Sequence, residues 1–171
     1  MANMCSNTVV FEGYSKATEQ INELFKSMAE RQRIEDVGQL PDFIQDSEGD
    51  YFFNIEQYEG LTNEFHYETK YTPNTETVKR IAEHFKVDFT LEYEELGCKE
   101  YGKAIFEDGV LTDISLDQQD IDSFTLDKAT DTYHFEGEEY DSECEILDTL
   151  LERKIENHFN NIKNQNNETI R

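Results

Sequence analysis

Thirty-nine Asp and Glu against fifteen Lys and Arg leave this 171-residue chain with a formal charge of -24 at pH 7. A field of that sign disfavours direct contact with nucleic acid or an anionic membrane, which select Lys and Arg, and attracts a partner with a basic surface. Only 36% of residues are hydrophobic, yet twelve Phe and nine Tyr gather the apolar area into large rings, which excludes wholesale disorder.

Residues 8–12 (TVVFE) read as a strand closed by Gly13. Ser15 or Thr18 is expected to cap a helix running to about Arg33, with Ala17, Ile21, Leu24, Phe25 and Met28 as its apolar stripe. Residues 35–50, with Gly38, Pro41, Ser47 and Gly49, read as a loop that tucks in Leu40, Phe43 and Ile44. Residues 51–58 and 64–71 are the next strands. In the latter Phe65, Tyr67, Thr69 and Tyr71 share one face, and His66, Glu68 and Lys70 the other. Pro73 and Thr75 announce a helix over 76–86, with Val78, Ile81, Ala82 and Phe85 inward.

Through 87–95 the period is two: Phe89, Leu91 and Tyr93 alternate with Asp88, Thr90, Glu92 and Glu94. Gly97 and Gly102 bracket a turn, and strands over 103–106 and 110–114 meet at the Asp108-Gly109 hairpin signal. Strand, helix, strand, strand, helix, strand is the split βαβ order. The fold class predicted is therefore α+β: a ferredoxin-like antiparallel sheet with two helices on one face, extended by extra strands.

The composition changes after Leu116, so residues 1–116 form the predicted domain. Residues 117–171 are an acidic segment and a C-terminal amphipathic helix, expected to pack on the same body. From 113 to 148 thirteen Asp or Glu face one base, Lys128, which is half of the net charge. Ile121, Phe124, Leu126, Tyr133, Phe135 and Tyr140 show that the segment is more than a solvated tail. A helix of about five turns follows, starting at Cys144 or Leu147 and striped by Leu147, Leu150, Leu151, Ile155, Phe159 and Ile162, with a frayed end over 164–171.

Cys5, Cys98 and Cys144 form no CxxC pair, which suits a reducing compartment. No apolar run approaches the roughly 18 residues of a membrane span. Residues 1–13 lack a basic and then apolar leader, so a cytoplasmic location is expected. The sequon at Asn167 then carries no weight.

Asn3, Cys5, Asn7 and the Gly13 turn, together with Tyr93, Glu95, Gly97 and the later Gly102, resemble the signature of a family carrying a YubB-type ferredoxin-like domain, found on phages, plasmids and integrated elements. That family opens Met-x-Asn-Trp-Cys-x-Asn, and here Met4 stands in place of the Trp. The resemblance spans residues 1–116. It implies a ferredoxin-like fold and a mobile-element origin, and it carries no activity with it.

No metal or cofactor is expected. His66, His84, His134 and His158 form no HExxH. Asp120-x-Asp122 opens like an EF-hand loop, but Phe124 takes the third ligand position; a loop begun at Asp127 reaches Glu138 but is spoiled by Ala129 and Thr132. Catalysis gains little support, because Glu92 and Glu94 point the same way from one strand and no Walker loop occurs. An enzyme or small-ligand alternative is a site gathered from Asn3, Cys5, Asn7, Tyr93, Glu95 and Gly97. Its counterpart is structural: amides that fix how the chain enters the sheet, and a brace for the Gly97 turn. The remaining signal is charge. Asp88, Glu92 and Glu94 line one strand face, and Asp120, Asp122, Asp127, Asp131, Glu136, Glu138 and Glu139 crowd the later segment. An array of this kind suits binding to a basic host protein, as a nucleic-acid mimic in the sharper version; the alternative is an acidic structural domain with no electrostatic partner. The oligomeric state is left open, with residues 51–58 a candidate exposed edge.

Overall fold

The computed structural model describes residues 3–45, 50–58, 60–97 and 99–169; Ser47, Gly49 and Cys98, named above, lie outside the described residues. The chain divides into two compact units, Met1–Asp113 and Ile114–Arg171.

The first unit is built on strands β1 (Met4–Glu12), β2 (Phe53–Glu56), β3 (Glu64–Lys70), β4 (Asp88–Glu95), β5 (Glu100–Glu107) and β6 (Val110–Ser115), whose last residues cross into the second unit. Helix α1 (Ser15–Glu35) follows β1, and α2 (Thr75–Phe85) follows β3. The sheet order is β2-β3-β1-β4-β5-β6, and the β1–β3, β1–β4, β2–β3 and β4–β5 pairs are antiparallel. The first four strands have the ferredoxin-like order, and β5 and β6 extend the sheet beyond β4. The fold class is α+β, as the alternating pattern predicted.

One set of alternate residues on each strand packs with Ile21, Phe25 and Met28 of α1 and Val78, Ile81 and Ala82 of α2. Rings dominate this core. Phe25 stacks on Phe65 at 4.1 Å and meets Phe52 edge-on at 5.5 Å, while Phe11 lies 6.2 Å from both Phe65 and Phe89.

Local expectations fared unevenly. Neither Ser15 nor Thr18 caps α1: Tyr14 holds the cap position, Ser15 is the first helical residue, and the Thr18 hydroxyl donates to the Ser15 carbonyl at 2.9 Å. Between α1 and β2 the backbone is pinned by a Gln39–Phe52 bridge, with Leu40 and Ile44 buried and Phe43 flat against the His84 ring at 3.9 Å. Asp108 and Gly109 both have positive φ, so a two-residue turn joins β5 to β6 with a twist that suits a hairpin.

The second unit holds a structure the sequence pattern did not announce. A short helix α3 (Gln118–Ile121) leads into β7 (Thr125–Asp127), β8 (Thr132–Phe135) and β9 (Glu138–Tyr140), a sheet in that order, before α4 (Glu143–Thr169). The acidic segment thus folds into a small antiparallel sheet of its own. Helix α4 starts one residue ahead of Cys144 and reaches Thr169, where a frayed end was expected. Its stripe is only half used: Ile146, Leu147 and Leu151 are buried, whereas Phe159 and Ile162 are exposed. Among the described residues no helix is long and apolar enough to cross a membrane.

Candidate functional site

Alternation on β1 sends Cys5, Asn7, Val9 and Phe11 into the core and leaves Ser6, Thr8, Val10 and Glu12 on the opposite face. Register fixes their neighbours. Ser6 lies between Glu68 on β3 and Glu94 on β4; Thr8 lies between His66 and Glu92; Val10 lies between Glu64 and Thr90; Glu12 pairs with Asp88. The central strand of this face therefore carries short side chains, and the strands on either side carry long, mostly acidic ones. With neighbouring strands about 4.8 Å apart, the two rims stand roughly 9.5 Å from each other, and successive residues along each rim repeat at about 6.6–7 Å. The result is a trough with a hydroxyl floor and carboxylate walls.

Few cations oppose these walls. Lys103, the register partner of Glu92 on β5, pairs with it at 2.8 Å. His66 is held at both ring nitrogens, by the Thr8 hydroxyl at 3.0 Å and a Glu64 oxygen at 3.0 Å. Lys70 sits over the Phe53 ring, 5.0 Å from its centroid. The Asn54 amide donates to Glu68, and Glu56 is the register partner of His66. At this end the trough opens into a cavity of about 380 Å³ lined by Ser6, Thr8, Asn54, Glu56, His66 and Glu68, among others. Glu92 and Glu94 are exposed; Asp88 is half-buried and accepts a hydrogen bond from the Asp108 amide at 3.3 Å, steadying the hairpin turn.

The cluster singled out by motif divides in two. Cys5, Asn7 and Tyr93 lie on the buried side of the sheet. The Asn7 amide donates to the Cys5 carbonyl at 2.8 Å and to the Thr69 hydroxyl at 2.9 Å, and Thr69 donates onward to the Thr72 carbonyl at 2.7 Å. The Tyr93 hydroxyl donates to Asp113 at 2.7 Å, and Tyr67 donates to Asn74 at 2.8 Å. Asn3, Glu95 and Gly97 meet instead at the β4–β5 turn. A Cβ on Gly97 would come within 2.9 Å of a Glu95 carboxylate oxygen and 3.2 Å of the Asn3 amide. The Asn3 carbonyl also accepts from the Tyr71 amide at 3.0 Å. Burial pushes the Cys5 thiol up to about 11, against a smaller lowering by its hydrogen bond to Thr69. A thiol so placed stays protonated at neutral pH and is a poor nucleophile. These contacts brace the backbone where β1 enters the sheet and where β4 leaves it.

In the second unit several acids have structural work. Asp117 caps α3, accepting from the Gln119 and Asp120 amides, while the Asp120 side chain accepts from the Asp117 amide. Lys154 of α4 reaches both, at 2.8 Å and 2.5 Å. Arg153 grips Glu136 through two nitrogens, at 2.7 Å and 3.0 Å. The Lys154 hydrogen bond, then the capped amides, hold the Asp117 carboxyl below its ordinary value, and Arg153 does the same for Glu136. Asp122 accepts from the Gln118 amide at 2.5 Å, and Asp127 accepts from the Ala129 amide at 2.8 Å. Asp131, Glu138 and Glu139 stay exposed. Among the described residues no group of His, Cys, Asp and Glu is arranged to hold a metal ion.

Sequence reasoning found the β4 rim and missed its facing rim and floor. The signal was present in Ser6-x-Thr8 and in Glu64-x-His66-x-Glu68, but it acquires meaning only once β1 is placed between β3 and β4. Comparison with known proteins returns one family model, described as the ferredoxin-like domain in Api92-like protein, which matches residues 50–136, just over half of the chain. No curated protein and no solved structure matches it.

Proposed function

Since the chain belongs to the family of the ferredoxin-like domain in Api92-like protein, we propose that its first unit is a non-catalytic binding module that takes an extended basic segment of a partner protein into the trough over β1. The observation that carries this reading is the register that sets Glu68 and Glu94 on either side of Ser6, and His66 and Glu92 on either side of Thr8. Lysine or arginine side chains lying along such a trough meet carboxylates from both walls, and the floor hydroxyls can accept hydrogen bonds from them. Each exposed ion pair contributes only about 0–1 kcal/mol, so affinity comes from the array and is screened by salt.

The sharper form of the proposal is mimicry. The partner is a host protein whose basic cleft otherwise holds nucleic acid, and the chain serves a mobile element as an accessory protein in the cytoplasm. The regular pitch of the walls and the net charge of -24 support it. In the test, a labelled oligo-arginine peptide is titrated against the full chain and against the variant Glu68→Gln/Glu92→Gln/Glu94→Gln. The expected result is binding that weakens at least about tenfold between roughly 50 and 300 mM salt, and that is largely lost in the variant. Equal binding by variant and parent would remove the trough from the account. An absence of binding at low salt would leave the chain an acidic structural domain. For the mimicry itself, duplex DNA should compete with the chain for a basic DNA-binding protein.

A further inference from the structure

Helix α4 continues past the residues that anchor it. Ile146, Leu147 and Leu151 are buried, and Arg153 and Lys154 tie the helix to Glu136 and to Asp117 and Asp120. Beyond them the apolar stripe runs on through half-buried Ile155 to Phe159 and Ile162, which are 37% and 40% exposed. The residues around that stripe do little to keep it helical: four of the ten from 156 to 165 are Asn, a poor helix former. Order in such a segment comes from packing its apolar face.

The stripe is complementary to a reversed copy of itself. Phe159 lies near the midpoint of Ile155 and Ile162, which are about 10.5 Å apart along the axis. Two such helices laid antiparallel across Phe159 set each Ile155 against the partner's Ile162. At 3.6 residues per turn Glu156 and Lys163 share one flank of the stripe. The two-fold axis of an antiparallel pair keeps a flank on its own side, so each Glu156 meets the partner's Lys163, twice over. A parallel pair would set that flank against His158, Asn161 and Gln165 instead, and both ion pairs would be lost. The local charge permits the approach, since residues 152–165 hold two acids and three bases and share none of the chain's acidic excess. Helices α1 and α2 are also balanced in charge, but their stripes are already buried in the ring core.

We propose that the chain self-associates through α4, as an antiparallel pair of helices crossing at Phe159. Three layers of side chains fall short of the roughly 1,000 Å² that a stable interface buries, so the dimer is weak, with a dissociation constant on the order of 100 µM. It is independent of the trough and answers salt in the opposite sense. The acidic bodies repel each other, so screening strengthens the dimer while it weakens the binding of a basic peptide. The test is sedimentation equilibrium of the full chain from about 0.02 to 1 mM, at roughly 50 and 500 mM salt. The expected result is a monomer–dimer equilibrium that tightens at least about threefold at the higher salt. Phe159→Ala, at an exposed position, should weaken it at least about tenfold. Lys163→Glu should weaken it about fivefold, and Glu156→Lys/Lys163→Glu, which restores both pairs with their signs exchanged, should recover the parent's association. A chain that stays monomeric at the highest concentration in both salts, a dimer untouched by Phe159→Ala, or a double variant as weak as Lys163→Glu would overturn the proposal.

Discussion

Both units of this chain are acidic, but they use their acids differently. In Met1–Asp113 stability resides in a core of stacked rings around Phe11, Phe25, Phe65 and Phe89, and the carboxylates are displayed along the far face of the sheet. In Ile114–Arg171 the buried apolar set is small, comprising Ile114, Leu116, Phe135, Ile146, Leu147 and Leu151, and Asp117, Asp120 and Glu136 are drawn into caps and ion pairs. Density of charge is therefore a poor guide to how many acids are left free of the fold. The segment richest in acids spends several of them on its own fold, whereas the sheet face with fewer acids holds them in a regular array.

The largest effect should come from attacking the ring core. Phe25→Ala leaves a cavity beneath Phe65 and Phe52 and should cost the first unit about 3–5 kcal/mol, read from urea unfolding followed by tyrosine near-ultraviolet circular dichroism. If the midpoint barely moves, stability in that unit does not reside in the rings.

High pH should also strike the first unit. The folded Cys5 thiol titrates at about 11 against 9.0 as its ordinary value. A raised folded value contributes stability that is complete below about 9 and is lost as pH climbs towards 11, some 2–3 kcal/mol in all. Tyr67, raised well above its ordinary value by burial, adds to the same sensitivity. Cys5→Ser should flatten the alkaline limb of the stability curve, measured at several pH values by urea titration. Native-state thiol labelling in a Cys98→Ser background should find exposed Cys144 reacting and buried Cys5 protected.

Low pH should reverse the order. Asp117 and Glu136 have lowered folded values, so what they contribute is complete above the ordinary carboxylate range and is lost as pH falls through the folded values. Amide exchange in the second unit should accelerate before the first unit responds. The smallest effect expected is that of Lys154→Met, which releases Asp117 and Asp120. It should speed exchange at Gln119 and Asp120 roughly fivefold, with amides of β1 unchanged.

Which parts of this were readable in advance follows from how local each signal is. The alternation through Phe89, Leu91 and Tyr93, the stripe Ile21–Phe25–Met28 and the Asp108-Gly109 turn act within a few residues, and they led to the ferredoxin-like sheet. The β7–β9 sheet escaped notice because strands of three and four residues are too short to display a period. Its best clue was Glu136-Gly137, both at positive φ, between Phe135 and Glu138. The trough belongs to no single segment, since its walls come from residues about 25 positions apart and its floor from the chain's start. The motif that singles out Cys5 and Tyr93 gave no sign of which way they point; burial shows that both face the core, where the thiol is protonated and the hydroxyl is bound to Asp113.

The central claim is best tested by two-dimensional NMR of the labelled chain titrated with oligo-arginine at about 50 mM salt. The account predicts shifts concentrated at Ser6, Thr8, Glu68, Glu92 and Glu94, fading together as salt rises. Shifts gathered at Asp131, Glu138 and Glu139, with the amides of the trough unmoved, would contradict it.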